Sequence, residues 1–426
     1  MEGEKWKFQL IAFPPLPSLI NSQYIRTMVN FPVAFLDSND GSSILAFGDG
    51  PVLNHGENVL EDMSQFVQTH RGSYIFSCLS YDIKNQVEDL TSNNDNRLGF
   101  PDAIFWVPKY VVLIDNNEVN FVQGQRNNES ANFLNTVLSV KNQEKFPSVE
   151  FEMRARTSKE NYLAHVSELQ EHIQLGNIYE VNYCQEFYAE EVELQQPIEA
   201  YFKLNSITKA PYSSYFAFKE FYVLGGSPEL YIQKTGDKIS SSPIKGTRKR
   251  GKTPTEDGQL KKELFNDQKE RSENVMIVDL VRNDLSKIAT KGSVQVDELF
   301  GVYSFETVHQ LISTISCRVD NSTSFTDILH ASFPMGSMTG APKISAMKLI
   351  EEHEEFKRGI YSGAIGLIKP NGDFIFNVVI RSLLYNSKEK YLSCPVGGAI
   401  TINSIPEKEY EECLVKVQGI LDQMNA

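Results

Sequence analysis

Residues Gly363-Ala-Ile-Gly-Leu-Ile-Lys369 and Phe374-Ile-Phe-Asn-Val-Val-Ile-Arg-Ser-Leu-Leu384 flank Pro370-Asn371-Gly372-Asp373, the strongest turn signal in the chain. Asparagine and glycine accept the positive φ that a tight reversal needs, and β-branched and aromatic residues fill both flanks, so the stretch predicts an antiparallel hairpin. The same pattern recurs outward from it. Phe31–Asp37 precedes Ser38-Asn39-Asp40-Gly41, Tyr110–Ile114 precedes Asp115-Asn116-Asn117, and Leu230–Gln233 with Ile239 flanks Thr235-Gly236-Asp237. Ile178–Ala189, Ser214–Val223 and Thr307–Val319 read as further strands. Between them lie helical periods: Tyr162, Val166, Leu169 and Ile173, stopped by Gly176-Asn177; an imperfect period over Glu270–Leu280; Ala341–Glu354; and Tyr410, Leu414, Val417, Leu421 and Met424 on one face. Hairpins interspersed with helices predict an α+β fold and not a doubly wound parallel sheet. The polar Gln123–Ser130 and mixed Val140–Pro147 stretches suggest a division between regions 1–145 and 158–420.

Composition narrows the function. With 426 residues and a formal charge of −14, the chain can bury a large core but lacks the basic surface that nucleic acids and anionic membranes attract. The five cysteines at 78, 184, 317, 394 and 413 are odd in number and show no CxxC spacing, which predicts neither a disulfide framework nor a thiolate metal site. Met1-Glu-Gly-Glu-Lys-Trp6 is not a basic segment leading into an apolar one, and no run approaches about 20 apolar residues, so a cytoplasmic protein is expected.

Several segments carry candidate chemistry. Ser241-Ser-Pro-Ile-Lys245-Gly-Thr-Arg-Lys-Arg-Gly251 presents an amine beside a glycine, a hydroxyl and three cations. As a nucleophile Lys245 must lose a proton, and Arg248, Lys249 and Arg250 are expected to lower its pKa; the same residues also describe a solvated turn. Glu270 and Glu273, and Glu409 and Glu412, are each three apart, which puts each pair on one helix face, with Lys416 four beyond Glu412. An all-carboxylate set favours magnesium, although such spacing also describes solvated helices. Glu229, after Gly225-Gly226-Ser227-Pro228, is a candidate general acid. His309 lies in an otherwise apolar or small-residue run and is a candidate for an active-site or a core histidine. Gly336-Ser-Met-Thr-Gly-Ala-Pro-Lys343 offers donors to a carboxylate, Arg381 a bidentate clamp, and Gly397-Gly398 a close backbone approach.

Together these segments resemble the chorismate-binding enzymes, a family that includes anthranilate, aminodeoxychorismate, isochorismate and salicylate synthases. The combination of Met276–Leu285 (MIVDLVRNDL), Gly336–Lys343, Tyr361–Gly366 and Gly397–Ile400 carries the resemblance, which extends over nearly the whole chain. It implies two large antiparallel sheets flanked by helices, with regions 1–145 and 158–420 interwoven in one body. It also implies chorismate as substrate and magnesium held by Glu273 and Glu412, supported by Glu270 and Glu409. Ser242, Thr247, Thr339, Gly340, Tyr361, Arg381, Gly397, Gly398 and Lys416 match substrate-binding positions, and Lys245, Glu229 and His309 match catalytic ones.

Within the family, a lysine at 245 and asparagine at 274 resemble the aminodeoxychorismate synthases, where anthranilate synthases carry alanine and histidine. This implies amination at carbon 4 of chorismate, in p-aminobenzoate and folate synthesis. With no Gly-x-Cys-x-Gly turn in the sequence, the ammonia would come from a separate glutamine amidotransferase subunit in a heterodimer, and a separate aminodeoxychorismate lyase would act next. Anthranilate synthesis and a non-catalytic chorismate-binding subunit are the alternatives. Three departures stand out: Glu180 where amino-transferring members usually have glutamine, Lys249 in place of a common proline, and Asp37-Ser38 without the Leu-Leu-Glu-Ser signature of tryptophan feedback.

Overall fold

The computed structural model describes residues 31–54, 58–115, 118–142, 151–306 and 308–425. The Met1–Trp6 start, the Asn116-Asn117 turn and Thr307 lie outside them. Among the described residues two antiparallel sheets, of 11 and 10 strands, make up the β structure. The expected hairpin sits in the second sheet: Ala364–Ile368 pairs with Phe374–Val378, and the turn closes through Lys369 N–H to Asp373 O at 2.7 Å with Gly372 at φ +85°. Strands from before 145 and after 158 enter both sheets. Val33–Asp37 lies beside Tyr212–Phe218 in the first, and Ile75–Leu79 beside Ala364–Ile368 in the second.

Strand alternation divides the core. Ala34, Leu36, Ile44 and Ala46 join a cluster with Phe76, Ile365 and Phe376 of the second sheet, whereas Phe35, Leu45 and Phe47 point the other way, toward Phe133, Val166 and Phe202 on helices. Strands Val33–Asp37 and Ser42–Phe47 of the first sheet are thus buried on both faces, which is why Val33–Leu36 and Ile44–Phe47 read as unbroken apolar runs and not as alternating ones. Helix Lys159–Gln174 begins where Ser158 Oγ accepts from Asn161 N–H, and buries Tyr162, Val166 and Leu169. Helix Gln268–Ser286 is longer than the imperfect period suggested; Asp267 accepts from the N–H groups of Lys269 and Glu270 to cap it, and it buries Ile277, Val278, Val281 and Leu285. The last helix spans Pro406–Asn425. Among the described residues no helix is long and apolar enough to cross a membrane.

Two runs expected as single strands are each broken. Ser214–Val223 is a hairpin, Tyr212–Phe218 and Phe221–Ser227, reversed at Lys219 with φ +52°. Phe374–Leu384 leaves the second sheet after Val378 and enters the first as Ser382–Asn386. A parallel event occurs nearby, where Phe221–Ser227 of the first sheet continues past Pro228-Glu229 into Leu230–Thr235 of the second. The crossings are stitched together, since Gly226 N–H donates to Arg381 O at 3.1 Å and Val378 N–H to Glu229 O at 3.1 Å. Glu229 and Arg381 therefore stand at the seam between the sheets.

Candidate active site

Lys245 lies on the edge strand Ile244–Lys249. Ile244 pairs with Ile312 but Thr247 with Gln310, so Lys245 and Gly246 together oppose Leu311, and Gly246 takes φ +87°. This β-bulge re-aims the lysine. Its Nζ donates to Glu180 Oε1 at 2.8 Å, with the Lys245 side chain 10% and the Glu180 side chain 1% exposed. Among the described residues Glu180 Oε2 has no hydrogen-bond partner. Two of the three cations expected to depress the lysine pKa are spent elsewhere: Arg248 pairs with Asp267 at 2.7 Å and Glu270 at 3.2 Å, and Arg250 with Asp257 at 2.8 Å. Burial disfavours the Lys245 ammonium, but Glu180, Glu273 and Glu229 more than offset it, and the pKa is raised and not lowered.

Glu229, buried at the seam, accepts a hydrogen bond from Ser337 Oγ at 2.5 Å. Burial pushes its carboxyl up to about 7, against the pull of Ser337, Lys245, the Ile244 N–H and Arg381. A carboxyl there is divided between acid and base near neutrality, as a general acid needs. Arg381 holds φ +50° at the other crossing. Burial lowers its pKa, with Glu229 and Glu412 opposing.

The four paired glutamates meet around one lysine that the sequence reading passed over. Lys269 Nζ lies 3.8 Å from Glu273 Oε1 on its own helix and 3.8 Å from Glu409 Oε1 on the last helix. Burial pushes Glu273 up to about 7, with Lys245 and Lys269 opposing and Glu180 and Glu270 adding; among the described residues its Oε1 has no hydrogen-bond partner. Glu412 pairs with Lys416 at 2.7 Å, and Lys416, Lys269 and Lys245 hold it below the usual carboxylate range despite burial. The only sequence trace of Lys269 is its i,i+4 spacing to Glu273.

Other expected residues divide. Gly340, at φ +148°, abuts the strand that carries Glu180: a Cβ there would meet Glu180 O at 2.2 Å. A Cβ on Gly398 would meet Glu409 Oε2 and Lys416 Nζ at ordinary contact distance, whereas one on Gly397 would strike Cys184 Sγ at 2.3 Å, and Lys416 Nζ donates to Gly397 O at 2.6 Å. Thr339 is fully buried with its hydroxyl donating to Met335 O and Gly336 O, and Tyr361 is buried against Cys184. Ser242 Oγ bonds Thr314 Oγ1, and Thr247 pairs with Gln310 along the edge. Both ring nitrogens of His309 are engaged, Nε2 with Asp257 at 2.9 Å and Nδ1 with Ser304 at 2.8 Å, and no hydrogen bond or ion pair joins it to Lys245 or Glu229. Two buried pairs brace the site's loops. Arg358 donates to Glu354, Met338 O and Asn182 O, and Lys343 to Asp284 and Ser332 O. The Gly336–Lys343 and Met276–Leu285 motifs thus meet through Lys343 and Asp284.

The model of the chorismate binding enzyme family matches residues 32–422. The chain belongs to that family. It is 30% identical over 410 residues, 90% of its own length and 86% of the relative's, to aminodeoxychorismate synthase component 1 of Bacillus subtilis (strain 168). Anthranilate synthase component I from Streptococcus pneumoniae TIGR4 superposes with a TM-score of 0.74 at 25% identity, covering 98% of this chain and 95% of that one. The menaquinone-specific isochorismate synthase of Escherichia coli shares the fold, with a TM-score of 0.75 at 17% identity over 98% and 94%. The α+β reading with two large antiparallel sheets holds, and this chorismate-binding family member is an enzyme acting on chorismate.

Proposed function

We propose that the chain is the large subunit of an aminodeoxychorismate synthase, converting chorismate and ammonia to 4-amino-4-deoxychorismate in p-aminobenzoate and folate synthesis. One observation carries the reading: a buried lysine, re-aimed by a bulge, stands among Glu180, Glu229 and Glu273. Ammonia would arrive from a separate glutamine amidotransferase subunit in the cytoplasm, and a lyase would act on the product.

Glu273 and Glu412, with Glu270 and Glu409 beside them, would hold a magnesium ion. The donors are all carboxylate oxygens, the set that magnesium prefers, and among the described residues the buried Glu273 Oε1 has no hydrogen-bond partner. Among the described residues no three His, Cys, Asp or Glu side chains converge closely enough to hold an ion as they stand; Lys269 lies between Glu273 and Glu409. When bound, the ion would neutralise and orient the ring carboxylate of chorismate.

The chain's own residues do the rest. Lys245 starts as an ammonium, and its proton passes to Glu180 Oε1, the carboxylate oxygen 2.8 Å away. The freed lone pair bonds to carbon 2 of chorismate, the two ring double bonds each shift one position, and the bond from carbon 4 to its hydroxyl breaks. Glu229 gives that oxygen a proton, and it leaves as water. Ammonia then attacks carbon 4, the double bonds shift back, and the carbon–nitrogen bond to Lys245 breaks. Arg381, bidentate by nature, would hold a substrate carboxylate at the seam. Preorganising these groups lowers the barrier more than tight ground-state binding would.

The test is product identification by chromatography and mass spectrometry after incubation with chorismate, magnesium and ammonium, with and without an aminodeoxychorismate lyase. Aminodeoxychorismate that becomes p-aminobenzoate with the lyase, and its loss in Lys245→Ala, is the expected result. Anthranilate with pyruvate, or full production by Lys245→Ala, refutes the reading.

A further inference from the structure

We propose that Lys269 is the internal counter-ion of the magnesium site: in the metal-free enzyme its ammonium stands among the four carboxylates, and it must withdraw for the ion to enter. The inference rests on the reading that Glu273 and Glu412 hold the metal. At 3.8 Å from both Glu273 Oε1 and Glu409 Oε1, Nζ lies beyond hydrogen-bond range of either and between the two helices. Among the described residues the buried Glu273 Oε1 has no hydrogen-bond partner, which is the arrangement of a carboxylate prepared for a different cation and not of an optimised ion pair. Burial disfavours the Lys269 charge, and the groups that more than offset this are Glu273, Glu409, Glu270 and Glu412, the same four carboxylates expected around the metal.

The neighbours of Lys269 explain why it and not another cation fills this place. Glu270 is held by Arg248 and Glu412 by Lys416, so each of these already has a cation at 3.2 Å or less. Glu273 and Glu409 instead share Lys269. The Lys269 side chain is 51% exposed, in contrast to Lys245 at 10%. Its flexible stem can swing toward solvent without disturbing the core. A divalent ion entering the cluster meets the ammonium's charge at short range, so ammonium and metal compete for the same oxygens. Lys269 would therefore weaken metal binding to the free enzyme while relieving carboxylate repulsion in its absence.

The experiment titrates the full-length, metal-free protein, without chorismate, with Mn2+ as the probe, reading free Mn2+ by electron paramagnetic resonance and heat by calorimetry. Lys269→Met is expected to bind Mn2+ about tenfold tighter than wild type, while Lys269→Arg, which keeps the charge, gains no affinity. Metal-free Lys269→Met should melt lower than wild type and recover on adding Mn2+. Equal or weaker binding by Lys269→Met, with Glu273→Gln still abolishing binding, overturns the inference and leaves the metal reading standing. Binding that Glu273→Gln leaves unchanged overturns both, as does absence of binding by wild type and Lys269→Met alike. Lys269→Gln supplies the same comparison if the methionine variant does not fold.

Discussion

Replacing Ser337 with alanine is expected to move the alkaline limb of the pH–rate profile upward. In the proposed reaction Glu229 donates a proton, so activity falls as pH rises through its pKa, about 7 in the intact site. Ser337 Oγ donates to Glu229 Oε1 at 2.5 Å and so favours the ionised carboxylate. A hydrogen bond to a charged group is worth about 1.5–3 kcal/mol, and a pKa unit corresponds to about 1.4 kcal/mol. Because the hydroxyl also serves the neutral acid in part, its removal should raise the pKa by roughly one unit. At pH 8 roughly a tenth of the wild-type Glu229 would be protonated, against about half in the variant, so the variant should lose less activity between pH 7 and 8. The assay is ammonia-dependent turnover across pH 6 to 9, with free ammonia and not total ammonium held constant, and kcat and kcat/KM fitted separately. A limb that moves down, or stays put in a folded variant, refutes the assignment of Glu229 as the acid and Ser337 as its tuner.

Other substitutions test other links. Glu180→Gln keeps a polar group but removes the proton acceptor of Lys245; the lysine must then lose its proton to solvent, so activity at pH 7 should fall about 10²-fold and climb with pH, and an unchanged acid limb would exclude Glu180 as the acceptor. Gly246→Ala places a Cβ at φ +87° and 3.0 Å from Glu270 Oε2, so kcat should fall more than chorismate affinity, with about 1–2 kcal/mol lost in denaturant melts. Wild-type kcat in that variant would show that the bulge does not aim the lysine. Arg358→Ala leaves Glu354 buried and unpaired, at a cost of about 3–5 kcal/mol; chemical denaturation within 1 kcal/mol of wild type would mean that the pair contributes little, 1 kcal/mol being about the worth of a single ordinary hydrogen bond.

What the sequence disclosed depends on how local each signal is. The Pro370-Asn371-Gly372-Asp373 turn fixes its hairpin within four residues, and Tyr162, Val166 and Leu169 mark their helix by spacing alone, so both are readable without tertiary context. The reversal at Lys219 has no glycine, asparagine or proline to announce it, and Val379 and Ile380 look like strand residues although the chain changes sheets there. The error at Lys245 has the same root. Sequence neighbours supply Arg248 and Arg250, but the bulge turns Lys245 toward Glu180, 65 residues away, while the arginines turn to helix-borne acids. An amine that local composition presents as surrounded by cations is in fact enclosed by carboxylates, and the sign of its pKa shift reverses. That reversal bears on the proposed mechanism: for Lys245 to act as the nucleophile, a lysine held as an ammonium would need an internal base, and Glu180, 2.8 Å away, is the carboxylate that would serve as one.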